Sequence, residues 1–109
     1  MREVHHNKLV RDHIPDIIRA DGSEPVVRFL SDEEYDAALL KKFVEEAGEV
    51  MESNGSIEEL ADLKQVWRDF LAHRGYTDEQ IDSVMSDKEQ KRGGFSARIF
   101  LEKVVTDTE

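Results

Sequence analysis

Glu45-Glu46-Ala47-Gly48-Glu49 and Glu59-Leu60-Ala61-Asp62 carry carboxylates at helical spacing. Three-residue steps put Glu46 with Glu49, and Glu59 with Asp62, each pair on one helix face. Two such helices, antiparallel across a short turn, would converge four carboxylates on one point. Repulsion there costs about 4 kcal/mol per pair at ~4 Å and an effective dielectric near 20. A hard divalent cation removes that cost. Oxygen ligands, with no cysteine and no paired histidine, point to Mg2+ or Mn2+ rather than Zn2+. The opposing reading is a solvated acidic face. With 25 Asp and Glu in 109 residues, an any-acid version of this spacing arises about once by chance. Position argues for the metal. Leu39, Phe43, Glu46 and Val50 share one stripe, so Glu46 interrupts an apolar face, and Asp62 lies beside the stripe of Leu63, Val66, Phe70 and Leu71. Charged groups at core-facing positions are rarely left unpaired.

Cationic residues supply a second pattern. Lys88, Lys91 and Arg92 stand at i, i+3, i+4, followed by Gly93, Gly94, Phe95 and Arg98, while Lys8 and Arg11 form a basic pair near the N-terminus. Charge at a helix C-terminus explains 88–92 equally well through the helix dipole. In a chain this acidic, a cationic stripe facing a carboxylate-bound metal also suits a polyphosphate, whose oxygens both would neutralise. His5, His6, His13 and His73 have no metal spacing, and no P-loop, Gly-x-Gly-x-x-Gly run or Ser/His/Asp set is present.

The elements that would position these groups are mostly helical. Pro15 suits the first turn of a short helix to Ala20, stopped by Asp21-Gly22. Ser31 with Glu34 is a capping box opening a long helix from Asp32 to Glu52. Ser53-Asn54-Gly55 breaks it, and Ser56 with Glu59 is a second capping box, opening a helix to His73 with Gly75 beyond its end. Thr77 with Gln80 opens a third helix to Arg92. Val26 to Leu30 and Arg98 to Leu101 read as two short strands that could pair. The predicted fold is therefore mainly α, a helical bundle with two short strands, in one domain spanning 1–109. Phe43, Val50, Leu63, Trp67 and Phe70 make more apolar helix surface than one protomer covers, which predicts a helical dimer.

Composition sets outer bounds. A net charge of −10 argues against a nucleic-acid surface. The absence of cysteine fits a reducing cytoplasm. The polar start carries no leader signal, and no apolar run is long enough for a membrane span.

The run Asn7-Lys8-Leu9-Val10-Arg11-Asp12-His13-Ile14-Pro15, the acids at 45–49 and 59–62, and Lys91-Arg92-Gly93-Gly94-Phe95 occur in one order. Together they resemble the all-α nucleoside triphosphate pyrophosphohydrolase superfamily, the MazG-like and phosphoribosyl-ATP pyrophosphohydrolase-like proteins. The nearest subgroup has this N-terminal motif with Lys where His13 stands. The resemblance covers roughly residues 7–102. It implies helical bundles that form homodimers or homotetramers. It also implies cleavage of a nucleoside triphosphate between the α and β phosphates, to monophosphate and pyrophosphate, in house-cleaning of non-standard nucleotides. Carried over, Glu46, Glu49, Glu59 and Asp62 would be Mg2+ ligands, and Glu45 would orient the attacking water or help hold a second metal. Lys8, Arg11, Lys88, Lys91 and Arg92 would hold the triphosphate. The spacer between Glu49 and Glu59 is short for the superfamily, and no motif marks base-recognising residues. Two alternatives stay open: phosphoribosyl-ATP pyrophosphohydrolase itself, and a non-enzymatic helical interaction module.

Overall fold

The computed structural model describes residues 2–107; Met1, Thr108 and Glu109, at the ends of the predicted single domain, lie outside the described residues. The chain is mainly α. Its elements are α1 (Ile14–Ala20), α2 (Asp32–Glu52), α3 (Ile57–Arg74) and α4 (Asp78–Arg92). Two compact units divide it, Met1–Gly75 and Tyr76–Glu109.

Local chemistry sets most helix ends. Ser31 accepts the Glu34 N–H and the Glu34 carboxylate accepts the Ser31 N–H, so the box opening α2 is complete. Thr77 and Gln80 do the same for α4. Gly75 closes α3 at φ +75°, a left-handed conformation that costs a side-chain-bearing residue energy. Arg28 donates twice to Glu34 (2.9 and 3.3 Å). That guanidinium, helped by the Ser31 N–H, holds the Glu34 carboxyl down to about 2.

In the first unit α2 and α3 form an antiparallel hairpin. Ser53 Oγ donates to the Val50 carbonyl (3.1 Å) and accepts the Ser56 N–H (3.2 Å), bracing the turn. At the far end Tyr35 meets the His73 ring edge-on at 4.9 Å, and Asp36 pairs with His73 and Arg74. Phe43 and Trp67 pack at mid-length, 6.2 Å between centroids. Leu39, Val66 and Leu71 are the buried hydrophobic residues of the core, and Phe43, Val50, Leu63 and Phe70 around them are half-buried. The predicted stripes are thus the faces that meet; beside them Trp67 keeps 40% of its surface, and Val44 and Met51, outside the stripes, are exposed.

The second unit consists of α4, which buries no residue, and an irregular segment after Gly93. The two predicted strands are absent among the described residues. Val26 and Phe29 are 96% and 95% exposed, and Ile99 and Phe100 are similarly open. Strand preference in such runs reflects packing on a pleated, half-buried surface, and these side chains have none. Among the described residues no helix is long and apolar enough to cross a membrane.

Candidate functional site

The acids gather where the hairpin turns. One carboxylate oxygen from each of Glu46, Glu49 and Glu59 lies within 4.8 Å of the others. The two from α2 share a face by their three-residue spacing, and the short turn brings the first turn of α3 alongside. Ser56 caps α3 through the Glu59 N–H (3.4 Å), but the reciprocal half of the predicted box is missing. Ser53 Oγ takes the Ser56 N–H instead. The Glu59 carboxylate, relieved of capping, belongs to the cluster.

Glu46 is the buried charged residue of the described chain; its side chain keeps 9% exposure. Burial, and secondarily the Glu49 carboxyl beside it, push Glu46 above the ordinary glutamate value, while Lys42 Nζ at 3.5 Å draws it partly back. Glu46 Oε2 and Glu59 Oε2 are buried without a hydrogen-bond partner. Orphaned buried oxygens call for an explanation. An oxygen-only donor set centred on them fits a hard divalent cation, with Glu46, Glu49 and Glu59 the residues to hold it.

Of the predicted ligands Asp62 stands apart from this group. Its Oδ1 accepts from Arg11 Nη2 at 2.7 Å. Glu45 lies 4.0 Å from Lys42 and is exposed. Lys8 is exposed in the segment before α1, and Lys88, Lys91 and Arg92 are exposed along α4 in the second unit. Lys42 was not singled out from the sequence. Its signal was there, four residues before Glu46 on the same face.

A cavity of about 500 Å³ opens beside the cluster within the first unit. Glu46, Asp62 and Lys42 reach it, together with Arg11, Tyr35 and Gln65. Burial and the carboxylates of Asp69 and Asp12 push the Tyr35 phenol up. These walls come from the 9–14 segment, α2 and α3. Arg11, Glu46 and Asp62 were marked by the sequence, whereas no short motif joins Lys42, Tyr35 and Gln65 to them.

The raised pKa of Glu46 has a measurable sign. A folded pKa above the unfolded one contributes stability that is complete below the unfolded value and lost as pH rises through the folded value. Without divalent cations, wild type is therefore expected to lose stability relative to Glu46→Gln from the ordinary glutamate value upward. Urea unfolding from pH 4 to pH 7 in EDTA checks this. A stability gap that stays constant over that range would mean Glu46 is not destabilised by its surroundings.

No family model and no solved structure matches the chain. A curated protein of Mycolicibacterium smegmatis (strain ATCC 700084 / mc(2)155), named "uncharacterized protein", is 58% identical over 43 residues. The match covers 39% of this chain and 44% of that relative, so the chain spans less than half of the relative's length.

Proposed function

We propose that the protein is a Mg2+-dependent nucleoside triphosphate pyrophosphohydrolase, with Mn2+ as a substitute ion, acting in the cytoplasm on non-standard nucleotides. The observation that carries this reading is the Glu46, Glu49 and Glu59 cluster with its two orphaned buried oxygens. The resemblance at Asn7–Pro15 and Lys91–Phe95 supplies the reaction class.

Glu46, Glu49 and Glu59 would hold the cation, with Asp62 as a fourth ligand. Bound there, Mg2+ supplies charge neutralisation to phosphate oxygens and a lowered pKa to a water. Glu45 sits one residue from Glu46 on an exposed part of α2, and it accepts the proton of the attacking water. Lys8 and Arg11 offset the triphosphate charge and that of the departing pyrophosphate, and the resemblance assigns Lys88, Lys91 and Arg92 to substrate binding as well. Exposed Val44, Met51 and Trp67 support assembly as a homodimer or homotetramer, which would cover them.

The test is product identification over standard and modified nucleoside triphosphates, with and without Mg2+, alongside the solution mass. Monophosphate and pyrophosphate should appear together without a diphosphate intermediate. Orthophosphate as the first product would overturn the reaction. No Mg2+-dependent release from any nucleotide would favour the non-enzymatic module, and a stable monomer would overturn the assembly.

The cationic stripe has its own expected result. Lys91→Ala or Arg92→Ala should raise KM or lower kcat by about tenfold, the scale of one lost charge-assisted hydrogen bond. Mg2+-induced stabilisation should remain. Steady-state kinetics of the Lys88, Lys91 and Arg92 single variants checks it; unchanged constants in all three would reduce the stripe to compensation of the α4 dipole.

A further inference from the structure

We infer that Arg11 is a positioning residue that holds Asp62 away from the Glu46, Glu49 and Glu59 cluster and surrenders it when a polyphosphate anion takes the guanidinium. The inference rests on the metal reading proposed above. Its starting point is an asymmetry among the four acids. Three place oxygens within 4.8 Å of one another, while the fourth is bound by Arg11 Nη2 at 2.7 Å. The cluster nonetheless needs further compensation, since the Glu46 side chain is more than nine-tenths buried and its Oε2 has no partner.

Asp62 follows Glu59 by three residues, so both project from one face of α3. Its transfer to the cluster is a side-chain movement that leaves the helix in place. The competing pair is weakly held. Arg11 and Asp62 keep 57% and 41% of their side-chain surface exposed, and exposed ion pairs are easily exchanged. Arg11 belongs to the segment before α1, where its carbonyl accepts the Ile14 N–H at 3.0 Å, so its backbone is tied while its side chain is free to change partner. Its planar fork suits phosphate oxygens at least as well as a single carboxylate oxygen. Arg11 and Asp62 both reach the cavity beside Glu46, where such an anion would have room. A cation taking Asp62 and an anion taking Arg11 then favour each other reciprocally, and neither site is complete until both are filled.

Mn2+ alone is the probe, titrated without nucleotide and followed by the electron paramagnetic resonance signal of the free ion. Arg11→Gln should bind Mn2+ about threefold to fivefold more tightly than wild type, the upper part of the range for an exposed pair that no longer competes. Arg11→Lys should fall between the two. In an Asp62→Asn background, Arg11→Gln should give no gain over Asp62→Asn alone. Both side chains are exposed, and circular dichroism verifies that each variant is folded. Unchanged or weaker binding in Arg11→Gln would overturn the inference. So would an equal gain from Arg11→Gln in the Asp62→Asn background, since that is a general field effect of removing one positive charge. Absence of Mn2+ binding in wild type and every variant would instead defeat the metal reading on which the inference stands.

Discussion

Glu46→Gln is expected to lower the rate of pyrophosphate release by at least two orders of magnitude, about 2.7 kcal/mol in barrier, while the protein stays folded. Glu46 is the buried member of the cluster and carries an orphaned oxygen. Replacing one of its oxygens by an amide removes an anionic ligand and puts a donor where a cation must sit. Asp62→Asn should lose a comparable factor, since the amide cannot complete the ligand set once Arg11 lets go. Glu46→Gln should not destabilise the metal-free protein, because one repelling charge leaves the cluster, whereas Asp62→Asn gives up its exposed pair with Arg11 and should cost at most about 1 kcal/mol. The measurement is single-turnover release of pyrophosphate at saturating Mg2+, with thermal unfolding in EDTA on the same samples. Full activity in Glu46→Gln would sink the assignment of this cluster as the reaction centre.

The second large effect is on stability. Mg2+ or Mn2+ at about one hundred times its dissociation constant should stabilise the fold by about 2.7 kcal/mol. For a domain of this size that is roughly a 10–20 °C rise in melting temperature. The cause is the relief of repulsion among Glu46, Glu49 and Glu59, whose oxygens lie within 4.8 Å of one another. Glu46→Gln combined with Glu49→Gln should melt at the same temperature with and without the ion. An equal rise in that double variant would place the ion elsewhere.

Where local rules act alone, structure was legible in the sequence. Ser31 with Glu34 marked the start of α2, and Gly75 the end of α3. The interruption of an apolar stripe by Glu46 marked the buried acid. Three residues show where that legibility stops. Glu59 satisfies the capping-box pattern, yet its carboxylate serves the cluster, because Ser53 Oγ has already taken the N–H it would have capped. Phe29 lies in a run with strand character, but strand formation needs a neighbouring surface, and Phe29 has almost none. Asp62 obeys helical spacing with Glu59, but its partner Arg11 lies 51 residues away. No periodicity reports a contact at that separation.

The bracing of the α2–α3 turn by Ser53 has a kinetic consequence. Helices joined by so short a connection make contacts that are close in sequence, and such contacts tend to form early in folding. The carboxylates beside the turn are then among the first side chains forced together, before most of the apolar surface is covered. Part of their repulsion belongs to the barrier as well as to the finished structure. Screening shortens its range, so folding in EDTA should quicken as ionic strength rises from about 0.01 to 0.15 M, where the Debye length falls from about 30 to 8 Å. Stopped-flow refolding would reveal it, and a folding rate indifferent to salt would place closure of the acidic end after the rate-limiting step. An ion bound as proposed would act on the speed of folding as well as on its end point: a chain made where Mg2+ is scarce would close its hairpin slowly, whatever stability it later attains.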